Sequence, residues 1–226
     1  MAAPTLDRDN IARPQGSAYD IGPYEFVQAQ TLAGHWPFDD GSGSIAIDSS
    51  GQGNDGNLIN APTWVAPGII GSSDLSFDGV TQLVEVANAP ILNFGVSDFS
   101  VSLWFKTNSA PTSSVALLSK GRIFAGGKRY FMSLVNGQIS VSIDDDIALQ
   151  QILSTGTAYR DNAQHHVVMV KLAGMLHLYS DNIEDPNSPI DVSATGNIDT
   201  IDRLTIGATR QVGNETLAWH YNGEID

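Results

Sequence analysis

Apolar residues recur along this chain with a period of two, broken by turn residues, and no long stretch shows a helical period. Phe99, Val101, Leu103 and Phe105 alternate with Ser100, Ser102, Trp104 and Lys106. Ile139, Val141 and Ile143 alternate with Ser140 and Ser142. Val168, Val170 and Leu172 form one face of residues 165–172, and Leu176 and Leu178 form one face of 175–180. Ala173 and Gly174 join these two segments as a tight hairpin. Further strands are expected at 31–38, 74–77, 82–86, 115–119, 129–135, 148–153 and 203–207. Many short strands at this spacing predict an all-β, two-sheet sandwich.

Composition agrees. The 226 residues are 42% hydrophobic, enough for a sizeable core, and include 22 glycines to supply turns. Residues 7–26 hold Pro14, Gly16, Gly22 and Pro23 with little alternation, so a boundary is expected near residues 27–31. Residues 1–30 then form a tail or linker, and residues 31–226 the sandwich.

Charge narrows the function. The 25 acidic against 11 basic residues leave a net −14, which argues against nucleic acid and against docking on an anionic membrane. Cations and neutral sugars remain compatible. Absence of cysteine excludes disulfides, thiolate metal sites and a cysteine nucleophile. No apolar run approaches the roughly 20 residues of a membrane span, so membrane insertion is not expected. The opening MAAPTLDRDN has no hydrophobic segment of signal-peptide type. In an exported parent, this chain is expected to be one piece of a larger multidomain protein.

Several segments follow one another in an ordered set. These are WPF at 36–38 with Asp39, DSSGQGNDG at 48–56, LSFDG at 75–79 and DFSVSLWFK at 98–106. Lys120 with Gly121, HHVVMV at 165–170, RLTIG at 203–207 and YNGEID at 221–226 complete the set. It resembles a laminin-G-like, concanavalin A-like domain of large bacterial secreted proteins. The resemblance spans residues 31–226 and implies an antiparallel jelly roll, an extracellular or cell-surface setting, and a binding or adhesion role. Two departures stand out. The family places Trp before the histidine pair, where this chain has Gln164, and it continues past GEID with another strand, where this sequence stops at Asp226. A missing final strand implies a sheet edge near Asp226, weakly anchored or paired with another chain. Residues 12–26 separately resemble the closing turn of a right-handed parallel β-helix, with Ile21, Tyr24 and Phe26 as their apolar anchors.

Motifs for catalysis are thin. GQGNDG at 51–56 fits G-x-G-x-x-G, but the residues after it, NLINAPTW at 57–64, include Pro62 and show no helical period, so a glycine-rich loop is the better reading. GEID at 223–226 resembles the start of the E-x-D-x-x-E site of laminarinase-type β-glucanases, with Glu224 and Asp226 on one strand face. The third acid is absent, and the same tetrapeptide is ordinary in non-catalytic members. Neighbours on a strand point to opposite faces, so His165 and His166 cannot ligate one ion. No G-x-S-x-G occurs, and the sequon at Asn214 carries little weight in a chain that looks bacterial.

Calcium is the expected cofactor. It takes oxygen ligands, and Asp48, Asn54, Asp55, Asp78 and Asp226 lie in glycine-rich turns or at strand ends. The resemblance implies one structural ion near the FDG and GEID segments, hence at Asp78 and Asp226, with Asn54 and Asp48 in the loop expected beside them. The competing reading is solvated turn carboxylates. Asp144, Asp145 and Asp146 are read as a hairpin turn, with a second cation site as the alternative.

Sugar binding needs exposed flat rings with polar groups nearby. Trp36 and Phe38 are read as core. Trp104 stands opposite the apolar face of its strand, as do His177 and Tyr179 on theirs and Ser140 and Ser142 on theirs. If these strands share a sheet, Trp104, Tyr179 and His177 lie on a polar outer face that could form a shallow cleft for a polysaccharide or glycan; the competing reading is that loops or the N-terminal segment cover that face and bury Trp104. Trp64 and Trp219 are alternatives. The resulting expectation is a non-catalytic carbohydrate-binding or adhesion module; a structural spacer and a fragment of a polysaccharide-degrading enzyme stand as alternatives.

Overall fold

The computed structural model describes residues 31–108, 114–123, 127–211 and 216–226. The β-helix-like segment, with Ile21, Tyr24 and Phe26, and the sequon at Asn214 lie outside the described residues. Contacts divide the chain into Met1–Ala33 and Gly34–Asp226, and the sandwich is the second of these units.

In chain order the strands are β1 (Ile45–Ala46), β2 (Gly56–Ile59), β3 (Thr63–Val65), β4 (Asp74–Asp78), β5 (Leu83–Val86) and β6 (Phe99–Lys106). Then come β7 (Val115–Ile123), β8 (Arg129–Val135), β9 (Gln138–Asp144), β10 (Leu149–Leu153), β11 (Gln164–Leu172) and β12 (Met175–Ser180). The chain closes with β13 (Ile183–Glu184), β14 (Ile190–Asp191), β15 (Leu204–Ile206), β16 (Thr209–Gln211), β17 (Leu217–Ala218) and β18 (Asn222–Ile225). A short 3-10 turn, Pro90–Leu92, precedes β6.

Two sheets form. One runs β1-β2-β5-β15-β7-β8-β9-β10, with β16 and β17 attached beside β7. The other runs β13-β12-β11-β6-β18-β4-β3, with β14 also on β12. All pairs are antiparallel except β16 with β7. This is the expected two-sheet sandwich. Turn chemistry sets the hairpins: Asn136 and Gly137, Ala173 and Gly174, and Asp181 and Asn182 each supply two successive positive φ angles, which match the twist of the strands they join.

The larger sheet buries Val84, Leu118, Met132, Leu134, Val141, Ile143 and Ile206, and the smaller one Leu75, Phe77, Leu103, Phe105, Val167, Met169, Leu178 and Ile225. Each fully buried side chain of this size contributes roughly 1.5–3 kcal/mol. On β11 the buried face is Val167 and Met169, and the set Val168, Val170 and Leu172 faces outward. Both faces of that strand carry aliphatics, so alternation alone could not choose between them.

Three expectations are corrected. Residues 31–38 form no strand: Phe38 takes a φ of +48°, and Trp36 is held by its indole N–H donating to the Asn54 carbonyl at 2.8 Å. Phe38 is nonetheless core. Ser140 and Ser142 do not share the sheet of Trp104, because β9 lies between β8 and β10 in the other sheet, where both serines are buried. The segment ending at Asp226 is not a loose edge. β18 lies inside its sheet, paired to β4 on one side and β6 on the other. Trp104 and Asp226 exchange both backbone hydrogen bonds, at 2.8 and 3.0 Å. Gly223 makes this insertion possible: at φ +142°, a Cβ there would sit 2.3 Å from the Lys106 carbonyl oxygen.

Candidate functional site

The outward face of the smaller sheet gathers the expected aromatic residues. β6 and β11 pair with Trp104 opposite His166 and Ser102 opposite Val168, while β11 and β12 pair Val168 with Tyr179 and Val170 with His177. Because the backbone of Trp104 bonds to Asp226, its pairing with His166 is the non-hydrogen-bonded kind, in which side chains approach most closely. Their rings stack at 4.6 Å and 20°. His177 and Tyr179, two apart on β12, stack at 6.1 Å and 10°. All four rings are half-buried. The structure thus brings Trp104, His177 and Tyr179 onto one face and adds His166.

Polar contacts order this face. Lys106 Nζ meets Glu224 Oε2 at 2.9 Å. His177 Nδ1 lies 2.7 Å from Glu184 Oε1, which also accepts from the Ser188 hydroxyl at 3.0 Å. These two bonds hold Glu184 below the usual carboxylate range. Burial lowers His166, against the opposing pull of Asp181, so its ring stays neutral at pH 7. His165 points inward, as neighbour alternation requires. Its Nδ1 lies 2.9 Å from Asp181 Oδ2 and its Nε2 3.1 Å from Asp161 Oδ1. Asp181 Oδ1 accepts the His166 backbone N–H at 2.9 Å, so one carboxylate fixes both histidines. Sequence reasoning missed Asp161, Asp181 and the stacking role of His166; the hairpin partner of the histidine pair, at Asp181 and Asn182, was the signal.

Trp64 and Trp219 are placed elsewhere. Trp64 donates its indole N–H to the Gly43 carbonyl at 3.0 Å and packs edge-on against Phe38. Trp219 packs on Phe131 within a small cluster that also holds Ala116 and Ile123. Both are packing residues of other regions.

Asp78 and Asp226, expected to share one ion, stand apart. In the β4–β18 register, Asp78 faces Asn222 while Ile225 faces Leu75, so Asp226 stands beside Asp74, four residues of β4 away from Asp78. That is about 13 Å along a strand. Asp78 Oδ1 accepts the N–H groups of Val80, Thr81 and Gln82, which outweigh burial and lower its pKa. Asp48 accepts from the backbone of His35, Ser50 and Asn54 at 2.8–2.9 Å and is lowered against burial in the same way. Asn54 thus serves Asp48 with its N–H and Trp36 with its carbonyl. Among the described residues no group of three or more His, Asp or Glu side chains is arranged to hold a metal ion. Asp144 and Asp145 cap the β9–β10 turn, as read from the sequence.

Glu224 and Asp226 do share a face, with Asp74 beside them. Asp226 Oδ2 accepts the Ile70 N–H at 2.7 Å, and Asp74 Oδ2 accepts the Ile69 N–H at 3.1 Å. Asp74 is fully buried, and its Oδ1 has no hydrogen-bond partner. Burial, then Glu224 and Asp226, push Asp74 up to about 6. Burial raises Asp226 as well.

Known proteins share this architecture. The family model described as the concanavalin A-like lectin/glucanases superfamily matches residues 78–226. The chain belongs to that superfamily. No curated protein matches the chain. Among solved structures, a similar fold occurs in the binding domain of Paraclostridial Mosquitocidal Protein 1, at 14% identity and a TM-score of 0.63, covering 81% of this chain and 46% of that one. The botulinum neurotoxin serotype G binding domain matches at 12% identity and TM-score 0.59, covering 79% and 42%. The binding domain of botulinum neurotoxin DC, solved in complex with rat synaptotagmin II, matches at 13% and 0.57, covering 82% and 44%. The chain spans less than half the length of these solved domains, and at such identities the likeness is one of fold. No described helix is long and apolar enough to cross a membrane.

Proposed function

We propose that this chain is a non-catalytic binding module of an extracellular protein, and that the outward face of the smaller sheet binds neutral glycans. The observation that carries the reading is the convergence of the Trp104–His166 and His177–Tyr179 stacks on one half-exposed face. Aromatic surfaces offer sugar C–H groups a partner, and Gln164, Ser102 and Glu184 nearby supply hydrogen bonds. Neutral ligands are favoured because Lys106 is already matched by Glu224, and a net charge of −14 repels anionic sugars. Support for a non-catalytic role comes from the E-x-D pair, in which Glu224 is engaged with Lys106 and Asp226 with the Ile70 amide. The fold likeness to toxin binding domains points the same way.

A glycan array probed with the full chain and with Tyr179→Ala tests this. Binding to neutral glycans is expected, weakened about tenfold or more in the variant at an unchanged melting temperature. Failure of the intact chain to bind any neutral glycan would leave the spacer reading in its place.

A further inference from the structure

The two aromatic stacks of the smaller sheet stand apart on one continuous strand register. Trp104 and His166 face each other across β6 and β11; the next outward pair along these strands is Ser102 with Val168, and Val168 in turn faces Tyr179 of β12. Beyond it come Ser100, Val170 and His177 in the same order. Strands lie about 4.8 Å apart and rise about 3.3 Å per residue, so the midpoints of the two stacks are about 12 Å apart over the sheet.

The ground between the stacks is low. Ser100 and Ser102 are exposed, Val168 and Val170 are half-buried, and none of these side chains is larger than valine. On the β18 side of Trp104 the face is closed instead. Ile225 and Leu75 are buried, so Asp226 and Asp74 point outward, and they accept the N–H groups of Ile70 and Ile69 at 2.7 and 3.1 Å. These bonds lay residues 69–70 over that margin. An occupant resting on Trp104 therefore extends over the serines and valines toward β12.

Both platforms are fixed before anything binds. Asp181 Oδ1 accepts the His166 N–H at 2.9 Å, and His177 Nδ1 lies 2.7 Å from Glu184 Oε1. Such preorganisation reduces the ordering cost of binding. Size then selects the ligand. A single pyranose ring, built of bonds of about 1.5 Å, cannot touch both stacks, whereas a short run of linked rings spans the gap. Resting on the glycan reading of this face, we propose that the site takes an extended linear neutral oligosaccharide of about three or more sugars, with Trp104 and Tyr179 holding two separated units, and not a single terminal sugar. Once one unit rests on Trp104, contact of another with Tyr179 is intramolecular and raises affinity without a second cost of association.

The test is calorimetric titration of the full chain with β-linked gluco-, manno- and galacto-oligosaccharides of one to six units. In a series that binds, affinity is expected to rise about tenfold or more between the disaccharide and the tetrasaccharide and to level off beyond it. Tyr179→Ala, at an unchanged melting temperature, is expected to bring the tetrasaccharide down to the affinity of the disaccharide and to leave the disaccharide itself unmoved. A monosaccharide bound as tightly as the tetrasaccharide overturns the proposal and leaves glycan binding standing, because one terminal sugar would then fill the site. Weakening of every length by the same factor in Tyr179→Ala also overturns it, because the two stacks would then act as one platform. Absence of binding at every length, together with a blank array of neutral glycans, overturns the glycan reading itself and this proposal with it.

Discussion

Trp104 and His166 face each other across β6 and β11 with ring centroids 4.6 Å apart, and the backbone sets that contact. Trp104 spends its N–H and carbonyl on Asp226, which leaves the His166 side of β6 in the close, non-hydrogen-bonded register. A double-mutant cycle of Trp104→Ala and His166→Ala, read by denaturant unfolding, should give a coupling of about 0.5–1.5 kcal/mol. Additive effects would mean that the stack contributes nothing beyond the two separate burials.

Burial lowers His166 in the folded state, so the unfolded chain binds its proton more readily. Stability from this group is full above the ordinary histidine pKa of about 6.5 and is lost as pH falls through the lowered folded value. Unfolding curves across that window should flatten in His166→Gln. An unchanged pH profile in the variant contradicts the assignment.

Asp74 has the opposite sign. Its folded pKa of about 6 lies above the ordinary value of 3.8, so the folded state holds the proton more tightly. Its contribution is most favourable below pH 3.8 and declines as pH rises to about 6. Asp74→Asn, which keeps the acceptor for the Ile69 N–H, should be more stable than the wild type at pH 7 and should lose this slope. A variant less stable at pH 7 would show that the ionised carboxylate is needed.

Alternation makes β6 and β12 readable, together with the hairpin at Ala173 and Gly174, and it puts Trp104, His177 and Tyr179 on outward faces. It does not say which sheet a strand joins, so it groups Ser140 and Ser142 with Trp104, although β9 lies in the other sheet. Nor does it show that β18 inserts between β4 and β6, because a long-range pairing leaves no mark on local pattern. Two of the carboxylates expected to bind calcium accept from nearby backbone: Asp78 from Val80, Thr81 and Gln82, and Asp48 from Ser50 and Asn54. Asp in a glycine-rich turn is equally suited to capping and to ligation, and residue type alone does not separate the two.

Mutation separates capping from ligation. Asp78→Ala should cost about 1 kcal/mol through the lost turn bonds, equally in EDTA and in millimolar calcium. A calcium-dependent rise in melting temperature that Asp78→Ala abolishes would restore the ion at this position.

Lys120 is almost wholly buried, and burial lowers its pKa to about 8 despite Asp202 and Asp199 nearby. It remains protonated at neutral pH and satisfies two amide oxygens and two carbonyls. Lys120→Met should destabilise by about 3 kcal/mol or more, since four acceptors around a buried position lose their donor. A loss below about 1 kcal/mol would show that water replaces the ammonium without difficulty.

Glycan binding by the outward aromatic face of the smaller sheet is read most directly from the four indole N–H resonances. Trp36 and Trp64 are tied to the Asn54 and Gly43 carbonyls, and Trp219 lies in the Phe131 cluster, so only Trp104 stands on the binding face. On titration with a neutral glycan that the chain binds, the Trp104 indole should shift with saturation while the other three stay in place. Shifts at Trp64 or Trp219 with Trp104 unmoved would contradict glycan binding at this face and place the binding surface elsewhere.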